Sequence, residues 1–255
     1  MAAAFGYSIG WHHREGREHR SDADTGRPQT GATGTDCVER LVLSRIHRRK
    51  YAFSEDITCA VIHGVAALAA FGGLIVLTVA AAWRGTAGHV VSFTIFGAVL
   101  VIEYVASTLY HALSASPIKR VFQTIDHAGI PLLIAATYTP FLVVCLGGAW
   151  GWSLLAAVWA AAAVGAGLEF VHTAGSRKAS FVLYAVMGGL WLLPLRRALE
   201  AVNPTSAILL AVGGLLYLLG AVFYGWRVLP HSHSLWHVLA AGGSTCHYFA
   251  VLYCL

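Results

Sequence analysis

Three histidines lie near the C-terminal end of the chain, in the stretch His231-Ser-His-Ser-Leu-Trp-His237. His233 and His237 stand four residues apart, so on a helix both imidazoles project from one face, about one turn from each other, as two ligands of a transition metal do. His231 falls off that face. The spacing alone is weak evidence, because 13 histidines in 255 residues produce some such pairs by chance.

Two further stretches carry polar groups inside apolar sequence. In the first, Glu103, Ser107 and His111 recur at every fourth residue, so a helix aligns them along one stripe. In the second, Asp126 and His127 place a carboxylate and an imidazole side by side. Polar side chains are costly within a bilayer, so the stripe must face the interior of a helix bundle.

The elements that position these residues are predicted to be membrane-spanning helices. The chain is 57% hydrophobic and only 11% charged, which excludes an ordinary water-soluble globule. Seven apolar runs are each long enough to cross a bilayer, which takes about 20 residues. They are residues 57–82, 90–113, 122–145, 151–172, 179–199, 206–227 and 235–254. The sequence therefore predicts an all-α bundle of seven transmembrane helices in the cell membrane, with the lipid bilayer as its partner.

The first 50 residues are polar and contain no apolar signal-peptide core. We expect them to form a disordered, basic cytoplasmic tail, in which residues 39–50 lie along the inner membrane surface as a helix. Residues 51–255 form the transmembrane domain. The net charge of +5 comes mostly from arginines before residue 50 or at the ends of apolar runs, which indicates membrane topology and not nucleic-acid binding.

The distribution of Lys and Arg favours a cytoplasmic N-terminus and an outer C-terminus. In that arrangement the second run ends, and the third and seventh runs begin, on the cytoplasmic side. His111, Asp126, His233 and His237 then lie at one depth near the inner leaflet. Three imidazoles with a carboxylate close by and a position left for water are the ligand set of a catalytic zinc.

Glu103 and the cysteines are not predicted to be metal ligands. Glu103 lies about 12 Å deeper than His111 along a helix axis, and we expect it to pair with His63, Tyr138 or His247, with His63 favoured by depth. The cysteines are scattered one to a segment without a C-x-x-C motif, so we interpret them as small apolar fillers. They are Cys37, Cys59, Cys145, Cys246 and Cys254.

Together these motifs resemble the hemolysin III group, the bacterial branch of the progestin and adipoQ receptor superfamily, which is itself similar to the alkaline ceramidases. The matching stretches are residues 55–64 (E-D-I-T-C-A-V-I-H-G), Ser107-x-x-x-His111, Asp126-His127-Ala-Gly, Thr137-Tyr-Thr-Pro140 and His233-x-x-x-His237. The chain departs from the group at Cys59 and Ile62, where Asn and Thr are usual.

The resemblance implies seven helices, a cytoplasmic N-terminus and a zinc ion near the inner leaflet held by His111, His233 and His237. It also implies that Ser107 and Asp126 lie beside the water at the zinc. On that basis we expect a zinc-dependent hydrolase of a lipid amide or ester, in which Asp126 handles the proton and Ser107 stabilises the developing oxyanion.

Two other classes of function remain open. One is a non-catalytic, receptor-like or cytolysin-type membrane protein, in which a structural zinc clamps the second and seventh helices and Asp126 is a direct fourth ligand. The other is metal transport, which fits less well because the ligands sit at one leaflet, although Glu103, His63 and His247 could continue a path. The sequence names neither the lipid substrate or ligand nor the oligomeric state.

Overall fold

The structure is a computed structural model that describes residues 34–171, 174–225 and 231–255, without the side chains of residues 34–52, 174–178 and 195. Within these ranges every regular element is helical. In chain order they are α1 (Gly34–Arg84), α2 (Ala87–Ala112), α3 (Pro117–Pro140), a π-helix (Phe141–Leu146), α4 (Gly148–Glu169), α5 (Ala174–Gly189), a 3₁₀ turn (Leu190–Leu192), α6 (Leu195–Ala201), α7 (Pro204–Gly225) and α8 (Ser232–Leu252).

The contacts divide the chain at Ser54. In the first unit, residues 1–33 of the predicted disordered tail lie outside the described residues, and the backbone is helical from Gly34 onward, including the predicted surface segment 39–50. The second unit, Glu55–Leu255, contains the rest of α1 and all the other helices. The site described below lies entirely within this second unit.

Five segments of the described chain are long and apolar enough to cross a membrane. They are Phe53–Arg84, Ala87–Ala112, Pro117–Leu146, Gly148–Glu169 and Pro204–Gly225. The predicted all-helical, multi-pass membrane fold is therefore confirmed. The count of seven spans stays a prediction, as does the orientation of the termini.

The two remaining predicted runs differ from the other five. The fifth run is not one helix: α5 ends at Gly189, and α6 starts only after Pro194, whose ring cannot continue a helix. Its continuous apolar part, Ala179–Leu192, is shorter than a span. Helix α8 has 21 residues, but it also carries three histidines, which make it less apolar than the five spans.

Helix α3 starts directly after α2. Ser116 accepts a hydrogen bond from the backbone N–H of Lys119 at 3.1 Å, and Pro117 occupies the first helical position, where its missing N–H costs nothing. Only residues 113–116 connect the two helices, which pack against each other along their lengths. The end of α2 and the first turns of α3 therefore lie together, and with them His111 and Asp126.

The bundle places large apolar side chains outside and polar ones inside. On α1, Val61, Val65 and Leu68 are 61%, 64% and 78% exposed. In contrast, ionisable side chains of the same segments, including Glu103 and Asp126, are buried. A lipid bilayer accommodates the outward apolar surface, and buried ionisable groups within it mark a functional site.

Candidate metal centre

The Nε2 atoms of two buried histidines, His111 and His237, and of the half-buried His233 meet at the end of α2 and the beginning of α8. The Nε2 atom of His111 lies 3.4 Å from that of His233 and 3.2 Å from that of His237. The Nε2 atoms of His233 and His237 are 3.1 Å apart. Residues separated by more than 120 positions in the sequence thus form a single triangle of nitrogen atoms.

This triangle fits a tetrahedral zinc ion. With Zn–N bonds of about 2.0–2.1 Å and tetrahedral angles, neighbouring ligand nitrogens lie about 3.3 Å apart. The three observed separations bracket that value. A neutral imidazole protonated at Nδ1 presents a lone pair on Nε2, so three such rings converging here form a donor set that could hold a metal ion.

Two of the three imidazoles are held in place through their other ring nitrogen. His111 Nδ1 donates to Asp56 Oδ1 at 2.9 Å, and Lys119 Nζ donates to the other carboxylate oxygen of Asp56, also at 2.9 Å. His237 Nδ1 lies 2.9 Å from His63 Nε2. A partner on Nδ1 fixes the ring and leaves Nε2 free to bind the metal, as is typical of histidine ligands.

The third histidine is positioned through its backbone. The N–H of His233, in the first turn of α8, donates to Glu55 Oε1 at 3.2 Å. His231 directly precedes α8 and has a left-handed φ of 56°. It lies outside the group of possible metal-ligating residues. Helix α1 therefore supports all three ligands, through Glu55, Asp56 and His63.

A fourth donor lies beside the histidines. Cys59 is fully buried, and its Sγ is within 4.8 Å of the histidine ligand atoms. The interpretation of Cys59 as an apolar filler is therefore wrong, since its thiol lies in the polar centre. A signal was present in the sequence: Cys59 precedes His63 by one helical turn and occupies a position where the resembling group carries a polar side chain.

The two predicted catalytic residues lie next to the histidines but outside the set of ligand atoms. Asp126 is 8% exposed, and its carboxylate interacts with Ser107, His111 and His127. Ser107 is fully buried, and its hydroxyl has no hydrogen-bond partner of ordinary geometry among the described residues. Cys59, and not Asp126, is the donor grouped with the three histidines.

Glu103 does not pair with the residue that depth favoured. His63 Nε2 contacts His237, and His63 Nδ1 has no hydrogen-bond partner among the described residues, so the expected Glu103–His63 pair is wrong. The other two candidates bond to backbone carbonyls, Tyr138 to Met187 at 2.7 Å and His247 to Leu210 at 3.3 Å. The Oε2 atom of Glu103 is buried without a hydrogen-bond partner in the described part of the chain, and it lies directly against Gly129 of α3.

Comparison with known proteins identifies the family of the chain. The family model for haemolysin-III related proteins matches residues 51–248. Hemolysin-3 of Bacillus cereus is 38% identical over 199 residues, which cover 78% of this chain and 91% of the relative. A hemolysin-3 homolog of Bacillus subtilis (strain 168) is 36% identical over 206 residues, or 80% of this chain and 97% of the relative.

A more distant relative comes from animals. The human monocyte to macrophage differentiation factor is 28% identical over 164 residues, which cover 62% of this chain and 67% of the relative. No solved structure matches the chain. The family match includes every residue of the candidate metal centre, from Glu55 to His237. The chain is thus a multi-pass membrane protein that belongs to the haemolysin-III related family.

Proposed function

We propose that the chain is a zinc-dependent hydrolase that cleaves an amide or ester bond of a lipid. The observation that carries this proposal is the triangle of histidine Nε2 atoms, 3.1–3.4 Å apart, with the Asp126 carboxylate and the Ser107 hydroxyl beside it and not coordinating. Imidazole donors in a tetrahedral arrangement suit zinc. When bound there, zinc supplies a Lewis acid that polarises a carbonyl and activates water.

The chain's own residues would perform the remaining steps. The Asp126 carboxylate lies in the third turn of α3, close enough to interact with His111. As a general base it would accept the proton of the attacking water. The Ser107 hydroxyl lies beside the Asp126 carboxylate, with which it interacts. From that position it would donate a hydrogen bond to the oxygen on which negative charge develops.

The surroundings of the site favour a lipid as the substrate. All three histidines and both catalytic candidates belong to helices whose outer faces are apolar. His233 is half-buried and the other four are buried, at the level where α2 ends and α8 begins. A substrate that reaches this interior must itself partition into the membrane. Amides and esters are the lipid linkages with a carbonyl group on which this constellation can act.

The test is to incubate the purified, zinc-loaded protein with amide-linked and ester-linked lipids in detergent micelles and to measure released fatty acid. We expect release by the native chain, a loss of at least about 100-fold in Asp126→Asn because general-base catalysis contributes about that much or more, and zinc retained in that variant. Fully zinc-loaded protein that releases no fatty acid from either class of lipid would overturn the hydrolase.

A second function is favoured by the position of Cys59. Three histidines and a thiolate form a closed, structural zinc site, which contributes folding energy and needs no substrate. The protein would then be a non-catalytic membrane protein in which zinc joins α1, α2 and α8. In that case chelating the zinc would lower the unfolding temperature of the native chain. Asp126→Asn would leave that temperature unchanged, and neither protein would release fatty acid from a lipid.

A further inference from the structure

We infer that the Cys59 thiol is an exchangeable fourth ligand of the metal, with Ser234 as its alternative partner. This inference rests on the proposed metal site, but not on hydrolysis. It concerns a residue in which this chain departs from the resembling group, and it decides whether the fourth coordination position is closed by sulfur or open to a substrate.

The thiol is the right donor at nearly the right distance. In a tetrahedral site with Zn–N bonds of about 2.0–2.1 Å and a Zn–S bond of about 2.3 Å, sulfur lies about 3.6 Å from each ligand nitrogen. The Sγ of Cys59 is no more than 4.8 Å from them. A side-chain movement of about 1 Å brings it to the ligand position, by the same geometry. Full burial of Cys59 gives the sulfur no solvent to compete with the metal.

The thiol also has a second partner on the same helix as two of the ligands. Cys59 Sγ lies 3.4 Å from Ser234 Oγ, and Ser234 sits between His233 and His237 on α8. Ser234 is 6% exposed, so its hydroxyl is as enclosed as the thiol. When Cys59 bonds to Ser234, the fourth coordination position would be left open. When the thiol binds the metal, it would do so as a thiolate whose proton passes to solvent, and the position would be closed.

Cys59 lies on the same face of α1 as His63, the residue that contacts the His237 ring. Cys59 and His63 are one turn apart on α1, and His63 contacts His237. A movement of α1 relative to α8 therefore shifts the thiol and the imidazole that orients His237 together. The balance between the open and closed positions is set by this helix pair and by the strength of the Cys59–Ser234 contact.

The experiment is to load the purified full-length protein with Co²⁺ in place of zinc and to record its absorption spectrum. A thiolate ligand gives an intense sulfur-to-cobalt charge-transfer band in the near ultraviolet, whereas imidazole ligands alone give only the visible bands of tetrahedral cobalt. We expect the charge-transfer band in the native chain and its loss in Cys59→Ser, with the visible bands retained. Ser234→Ala should strengthen the band, because it removes the competing partner.

Cys246→Ser is the matched control, since Cys246 is also a free cysteine but lies outside the group of ligand atoms. It should leave both sets of bands unchanged. Bound cobalt without a charge-transfer band, or a band that survives in Cys59→Ser, would overturn the inference and leave the three-histidine site standing. A native chain that binds no cobalt or zinc would overturn the metal site itself.

A second measurement does not depend on a substituted metal. X-ray absorption at the zinc edge of the native protein should show one sulfur at about 2.3 Å in addition to the nitrogen ligands, and Cys59→Ser should lose that sulfur. Cys59→Ala, which keeps the small size of the side chain, shows whether loss of the thiol disturbs folding. A zinc-loaded native protein with nitrogen ligands and no sulfur neighbour would contradict metal binding by the thiol.

Discussion

At the scale of single residues, side chains outside the group of possible metal ligands hold the histidine rings in place. Asp56 receives hydrogen bonds from His111 and from Lys119, and its side chain is 38% exposed. The carboxylate thus fixes the ring of His111 while its own charge is balanced by a lysine. Support of this kind usually sets the metal affinity of a histidine ligand.

We predict that Asp56→Asn weakens zinc binding about 10- to 100-fold, the range found when such supporting groups are changed. The amide can still accept a hydrogen bond from His111, but it carries no negative charge to make the imidazole a better donor to zinc. The measurement is a competition between the purified protein and a chromophoric chelator.

Glu200→Gln is the control for this change. Glu200 is likewise a carboxylate paired with a basic residue, Arg196 at 3.0 Å, but it lies on α6, away from the centre. Its removal should leave the zinc affinity unchanged. An Asp56→Asn variant with native affinity would mean that the orientation of His111 does not depend on the carboxylate.

The meeting of the three histidines could be predicted from the sequence, whereas the residues that bond to them could not. Their proximity can be predicted because helical spacing and the alternation of membrane spans place His111, His233 and His237 at one depth. The roles of Cys59, Asp56 and His63 depend on how α1 packs against α2 and α8, and no periodicity in the sequence specifies that contact. Asp56 also precedes the first apolar run, so hydropathy does not place it inside the membrane.

At the scale of helices, α2 and α3 approach closely where Glu103 faces Gly129. A Cβ atom built on Gly129 would overlap Glu103 Oε2, so an added methyl group forces the buried carboxylate to move at this crossing. Small residues at such crossings let membrane helices pack tightly. The same contact sets the relative height of His111 on α2 and Asp126 on α3.

We predict that Gly129→Ala destabilises the protein by about 1–3 kcal/mol, the usual cost of overpacking an interior. The added methyl group must displace the Glu103 carboxylate or push the helices apart. Thermal unfolding of the purified protein in detergent measures the effect. Gly167→Ala on α4 is the matched control, because nothing lies within 4 Å of a Cβ at that position; equal unfolding temperatures for the two variants would contradict tight packing at Gly129.

Helix boundaries show what hydropathy can and cannot predict. The five long spans match apolar runs closely, and the third remains helical even though Pro131 lies near its centre. The fifth predicted run, 179–199, counts as one segment by hydropathy, but Gly189 and Pro194 divide it into α5, a 3₁₀ turn and α6. The breakers are visible in the sequence, but their effect depends on whether neighbouring helices satisfy the freed backbone groups.

At the scale of the whole molecule, we predict seven crossings with the N-terminus inside and the C-terminus outside. Short connections predicted to be inside carry Lys119, Arg120, Arg177, Lys178 and Arg227, against Arg84, Arg196 and Arg197 outside. Alkaline phosphatase, which is active only outside the cytoplasm, should be active when fused after Leu255. The same enzyme fused after Arg227, before α8, should be inactive, and the reverse pattern would contradict the proposed orientation.

The distance along the chain between the ligands also has a consequence for biosynthesis. His111 leaves the ribosome early, whereas His233 and His237 belong to α8, the last helix and a less apolar one than the five spans. The complete set of donors therefore exists only after α8 has been synthesised and has packed against α7, with which it makes most of its contacts. At the proposed metal site, binding of the ion must follow the synthesis of α8, and a chain truncated before His233 lacks two of the three imidazoles.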